Sequence, residues 1–125
     1  MSENELSKLI VDTCFNIHTK IGPGLFESVY EEILAYELIT KGIYINRQVG
    51  IPVIWKSVKL DLGFRADIVL ENKVIIEIKS IEGIAPVHKK QVLTYLRLMD
   101  MKLGLLVNFN EALIKNGITR VVNGL

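Results

Sequence analysis

Cysteine is all but missing from this chain of 125 residues. Its one thiol, Cys14, excludes an internal disulfide framework, a cysteine-ligated zinc site and a four-cysteine iron–sulfur cluster. Long apolar runs are missing too. None approaches the roughly 20 residues of a membrane span, and Met1 to Leu6 are polar and acidic, unlike a signal peptide. A cytoplasmic location with no membrane partner is expected. Repeats, low-complexity tracts and linkers are absent, so residues 1–125 read as a single domain. Net charge is nearly absent as well, at +1, and argues neither for nor against nucleic acid. Its distribution says more. Residues 1–40 carry seven acidic and two basic residues, a balance of −5, whereas residues 41–125 carry thirteen basic and seven acidic, a balance of +6. This asymmetry fits one anion-facing side or two solvated faces.

What is abundant is apolar surface, at 50% of the residues. That is enough for a well-filled core, with an extra patch for a homo-oligomer as the alternative. Ser2 followed by Glu5 has the form of a capping box, and Leu6, Leu9, Ile10, Ile17 and Ile21 give the first helix an apolar face. Cys14 on that helix reads as a buried small residue, and His18 as a surface one. Gly22-Pro23-Gly24 breaks the chain. A second helix is expected from about Leu25 to Lys41, with Phe26, Val29, Tyr30, Ile33, Leu34 and Leu38 turned inward and Gly42 as its cap. From Tyr44 to Ile54 the pattern alternates as a strand does, then Lys56-Ser57 turns into Val58 to Leu62. Pro86 opens a third helix running to about Met99, with His88, Gln91 and Tyr95 on one face. Leu103 to Phe109 reads as a buried strand, and Ile118 to Val122 as a short edge. The order predicts an α/β fold: an antiparallel meander plus a further strand in a mixed sheet, flanked by helices.

Between these elements lies the chemistry. Arg65 to Ser80 forms two apolar strands joined by a polar turn at Glu71-Asn72-Lys73. Asp67 is in the first strand, and Glu77 and Lys79 share one face of the second. Two carboxylates and an amine among Val, Ile and Leu are costly unless they pair or bind a metal. Two readings follow. One is a cross-strand ion pair. The other is a metal-dependent hydrolase site, in which hard oxygen ligands suit magnesium (Mg2+) and a neighbouring lysine steers or deprotonates water. Glu27 alone reads as a partner of its helix dipole.

The run Gly24-Leu25-Phe26-Glu27-Ser28-Val29-Tyr30, followed by Asp67, Glu77-Ile78-Lys79, Gln91 to Leu96 and Leu103 to Asn108, resembles the PD-(D/E)XK nuclease superfamily, specifically its GxxExxY family. The resemblance covers essentially the whole chain. It implies a restriction-endonuclease-like core with the site on the meander. It further implies Glu27, Asp67 and Glu77 as metal ligands, joined by the carbonyl of Ile78, with Lys79 as the catalytic lysine and Gln91 and Tyr95 lining the site. Mg2+ is the implied cofactor, with Mn2+ as a substitute. Ala66 stands where the superfamily's name has proline, a position that is not a ligand. Tyr30 either holds a carboxylate or phosphate or is a core aromatic. His88, Lys89, Lys90, Arg65 and Arg97 are candidates for substrate contact, with solvated surface as the alternative. Trp55 and Tyr44 are candidates for base stacking but read better as core. Three functions compete on these grounds. The first is a Mg2+-dependent nuclease acting on DNA in preference to RNA. The second is a nucleic-acid-binding or accessory module with the same fold, and the third is an ion-pair network in an oligomer interface.

Overall fold

Ser2 closes the capping box that the sequence predicts. Its hydroxyl accepts from the Glu5 N–H at 3.2 Å, and the Glu5 carboxylate accepts from the Ser2 N–H at 3.1 Å. The computed structural model describes residues 1–125, and in it this cap opens α1, Glu3–Ile21. Leu6, Ile10, Cys14 and Ile17 form its buried stripe, while Ile21 is exposed. Burial pushes the Cys14 thiol up to about 12, which leaves it unreactive. Gly22, at φ +76°, ends the helix and donates to the His18 carbonyl, a conformation that suits glycine alone.

The second helix, α2, spans Glu27–Thr40 and starts later than its apolar pattern suggests. Phe26 is extended and lies outside the helix, 82% exposed, and Val29 is exposed too. The apolar pattern predicts both on the inner face. The buried face instead holds Tyr30, Glu31, Leu34, Ala35 and Leu38. Its orientation is set by Tyr30, whose ring stacks on Phe109 at 4.3 Å.

Five strands form the main sheet, in the order β1 (Ile45–Gly50), β4 (Arg65–Leu70), β5 (Val74–Lys79), β6 (Leu103–Asn108) and β7 (Ile118–Val122). Only β5 and β6 run parallel. The link between them is α3, Pro86–Met99, because parallel neighbours need a crossover. The expected mixed sheet with flanking helices is therefore what forms. The alternation from Tyr44 to Ile54 is not one strand, however. Pro52 lacks an N–H and interrupts it, so β2 (Val53–Trp55) and β3 (Val58–Leu60) make a separate two-stranded ribbon. The β4–β5 turn holds Glu71 and Asn72 at φ +50° and +54°, with the Lys73 N–H donating to the Leu70 carbonyl at 2.8 Å. These are the dihedrals of a type I′ turn, whose twist matches a hairpin.

Helices α1 and α2 cover one face of the sheet, over Ile68, Leu70, Ile76, Ile78, Leu105 and Val107. Helix α3 covers the other, over Val69, Ile75 and Leu106, through Val92, Tyr95 and Leu96. Each of these fully buried aliphatic side chains stabilises the fold by about 1.5–3 kcal/mol. At Gly104 the α3 side chains come so close that an added Cβ would lie 2.6 Å from Val92 Cγ1. A short 3-10 turn, Ile114–Asn116, precedes β7. No helix is long and apolar enough to cross a membrane.

Candidate active site

The β4–β5 ladder pairs Leu70 with Val74, Val69 with Ile75 and Ile68 with Ile76, and stops there. One step further, side chains replace backbone partners. The Asp67 N–H donates to Glu77 Oε1 at 2.9 Å, and the Ile78 N–H donates to Asp67 Oδ2 at 2.8 Å. The two carboxylates thus fill the opening between the strands and fix each other's position. Glu77 is only 5% exposed. Burial, followed by the charge of Asp67, pushes its pKa up to about 8, against the pull of the Asp67 N–H and of Lys79. Burial likewise raises Asp67, with a contribution from Glu31, while the Ile78 N–H, Gln48 and Lys79 lower it. Lys79 lies two residues after Glu77 on the same strand face. None of the chain's four ion pairs includes it.

Helix α3 brings Tyr95 over the pair. The phenol is buried, and its pKa is raised by burial and then by the charges of Glu77 and Asp67. Gln91 is half-buried one helical turn earlier. His88 Nδ1 accepts from the Ala85 N–H at 2.9 Å, so that nitrogen caps α3 and is not free for substrate. Lys89, Lys90 and Arg97 are exposed. Arg65 is exposed as well, and its guanidinium donates to the Gln48 carbonyl at 3.3 Å.

Glu27, His18, Trp55 and Tyr44 are placed differently from the sequence reading, and Tyr30 takes the core position of its two alternatives. Glu27 is exposed, and its carboxylate accepts from the Ser80 N–H at 3.0 Å; the Ser80 hydroxyl donates to the Leu25 carbonyl at 2.6 Å. Glu27 therefore fastens the start of α2 to the residue after Lys79. No three metal-ligating side chains close on one point, so the three-carboxylate set is not formed. Tyr30 is fully buried, and its hydroxyl donates to the Gly22 carbonyl at 2.6 Å and accepts from the Leu25 N–H at 3.2 Å. It knits the α1–α2 turn and offers no surface to a substrate. His18 is buried rather than on the surface, its Nε2–H donating to the Glu111 carbonyl at 2.7 Å. Trp55 and Tyr44, read as core, are 67% and 56% exposed.

Two site residues escaped the sequence reading. Gln48, at φ +50°, sits between the Arg47↔Ile68 and Val49↔Ala66 pairs, opposite Asp67. Its amide donates to Glu31 Oε1 at 2.7 Å and to Asp67 Oδ1 at 3.3 Å. Glu31 is buried and also accepts from Arg47 Nε and Nη2 at 3.1 and 2.8 Å; Arg47 reaches Glu32 at 2.9 Å. The signal for Glu31 was present: a carboxylate inside the Tyr30, Leu34, Leu38 stripe. Nothing in the local pattern marked Gln48.

The fit to a divalent cation rests on Asp67 and Glu77. Each commits one oxygen to a backbone N–H, leaving Asp67 Oδ1 in a single long contact with Gln48 and Glu77 Oε2 free. Two hard oxygen donors with little compensating charge are what Mg2+ takes from a protein, since it keeps its waters for the remaining positions. A family model described as the PD-(D/E)XK nuclease superfamily matches residues 4–121. No curated protein and no solved structure matches the chain.

Proposed function

The chain belongs to the PD-(D/E)XK nuclease superfamily, and from that premise we propose that it is a Mg2+-dependent nuclease of the GxxExxY family, hydrolysing phosphodiester bonds in DNA or RNA within the cytosol. The observation that carries this reading is the acid pair at the open end of the β4–β5 ladder, facing an amine that no carboxylate neutralises. Asp67 and Glu77 would hold the cation. The Ile78 carbonyl would join them, because an extended residue aims its N–H and C=O at the same neighbour, and the Ile78 N–H already points to Asp67. When bound, Mg2+ (or Mn2+ in its place) polarises a phosphoryl oxygen and makes water a better nucleophile at neutral pH.

The rest falls to the chain. Lys79 places a positive charge beside the attacked phosphate and positions the incoming water through its N–H donors. Gln91 and Tyr95 orient water or a phosphate oxygen from α3. Gln48 keeps Asp67 turned toward the opening. Glu27 of the motif acts at one remove, binding α2 to Ser80 at the strand end from which Lys79 projects, while Tyr30 secures the Gly22–Leu25 turn.

The test is to incubate the purified protein with single- and double-stranded DNA and RNA, in Mg2+, in Mn2+ and in chelator. Cleavage should need metal and fall about 100-fold or more in Lys79→Ala and Glu77→Ala. The missing third carboxylate favours a second reading, a module that binds nucleic acid without cutting it. Binding with no cleavage in either metal would establish that reading and end the first.

A further inference from the structure

Strands β2 and β3 pair only with each other. Such a ribbon is marginal in water unless something covers it. Its register, Val53↔Leu60 and Trp55↔Val58 on one face with Ile54↔Lys59 on the other, sorts the side chains. Val53 and Leu60 at the base are half-buried, whereas Trp55 and Val58 at the tip are exposed, 67% and 54%. Lys56 stands in the turn at φ +57°. From Tyr44 to Leu60 the chain has no carboxylate, and neither Lys56 nor Lys59 enters an ion pair.

The ribbon is joined to the carboxylate site. At its base the Ile51 N–H donates to the Phe64 carbonyl at 2.8 Å. The Phe64 ring leans on Tyr95, centroids 6.4 Å apart and tilted by 50°. Tyr95 in turn feels the charges of Glu77 and Asp67.

We propose that the β2–β3 ribbon is a stacking platform for single-stranded nucleic acid, with Trp55 against a base and Lys56, in the turn beside it, against a flanking phosphate. The platform deepens the nuclease reading by naming the form of its substrate. An exposed indole beside the free ammonium group of Lys56 matches the π-face and backbone charge that every single strand carries. A second copy of the chain is a poorer occupant. A two-fold interface sets a patch against itself, and this one, with no carboxylate from Tyr44 to Leu60, would offer Lys56 no opposite charge. A duplex is poorer too, because its bases are already stacked on one another and Trp55 and Val58 present no donors or acceptors to base edges.

Trp55 is the chain's one tryptophan, so its fluorescence reports on the platform alone. The full chain would be titrated in chelator with a thymidine oligomer, a uridine oligomer and a blunt duplex. Quenching by the single strands is expected, weakening as salt rises. Trp55→Ala should weaken binding about tenfold or more and Trp55→Phe much less, both remaining folded because the site is exposed. Unchanged fluorescence, unchanged binding in Trp55→Ala, or tighter binding of the duplex would each overturn the proposal. So would a concentration-dependent dimer, seen by solution mass, that Trp55→Ala abolishes. Failure of the nuclease reading looks different: quenching by single strands without metal-dependent cleavage keeps the platform and removes the hydrolase.

Discussion

Glu77→Gln separates what the buried acid costs the fold from what it does for the site. The substitution keeps an oxygen to accept from the Asp67 N–H but removes the charge. In the metal-free protein the Glu77 pKa stands at about 8, against an ordinary 4.5. Between those values the folded chain holds a proton that the unfolded chain releases. The stability associated with that proton is intact below pH 4.5 and is lost as pH rises through about 8. The loss amounts to at most about 1.4 kcal/mol per pH unit and about 5 kcal/mol across the window. Asp67, also raised, works in the same direction. For a domain whose total stability is about 5–15 kcal/mol, the effect is large. Urea unfolding in chelator at several pH values between 5 and 8 should show the wild type weakening steeply and Glu77→Gln nearly level, so that the variant is the more stable protein at pH 8. Saturating Mg2+ should restore the wild type and leave the variant unmoved, because a ligand stabilises only the state that binds it. Parallel pH profiles for the two proteins would refute the reasoning, since Glu77 would then be ionised in the fold without penalty.

Gln48→Ala should lower cleavage or Mg2+ affinity about 10- to 100-fold, the usual effect of removing a residue that orients a ligand. A metal titration of activity indistinguishable from wild type would show that Gln48 does not position Asp67. Tyr30→Phe should cost about 1–3 kcal/mol of stability, because it leaves the Gly22 carbonyl and the Leu25 N–H without their buried partner. The cleavage rate of the folded protein should stay within about twofold of wild type, and a selective loss of rate with unchanged melting would return Tyr30 to the site.

The parts of the site that could be read from sequence are those that are local. Asp67 and Glu77 are on adjacent strands of one hairpin, and a tight turn sets their register, so strand alternation alone brings them together. The choice between Glu27 and Glu31 could not be read. They lie one helical turn apart on the same side of α2, and which of them approaches Asp67 depends on how far that helix sits along its axis. That placement is anchored by Tyr30 stacking on Phe109, a contact made with the far end of the chain. Gln48 was hidden for a similar reason: its φ of +50° and its bridge between Glu31 and Asp67 exist only once α2 and β4 are both in place. The break at Pro52 was visible but was outweighed by the alternation on either side of it, which is why the β2–β3 ribbon merged with β1 in the sequence reading.

The distribution of charge supports the proposed metal reading of the hairpin. An ion-pair network does exist here, but it is built on Glu31, whose carboxylate takes two bonds from Arg47 and one from Gln48, with Glu32 sharing the guanidinium. A carboxylate so well satisfied shows no need of another cation. Asp67 and Glu77 lie close by with the opposite character: burial raises the proton affinity of both, Asp67 adds to it at Glu77, Glu31 adds to it at both, and Lys79 relieves it only from a distance. Had the hairpin been selected for stability alone, a direct bond from Lys79 to either acid would have removed the penalty. Instead the one strong cation nearby is spent on the neighbour, and the acid pair is held rigid by backbone N–H groups with its remaining oxygens unclaimed. That division, a neutralised carboxylate beside two that are not, is expected of a site that waits for a divalent ion and is not expected of a salt bridge.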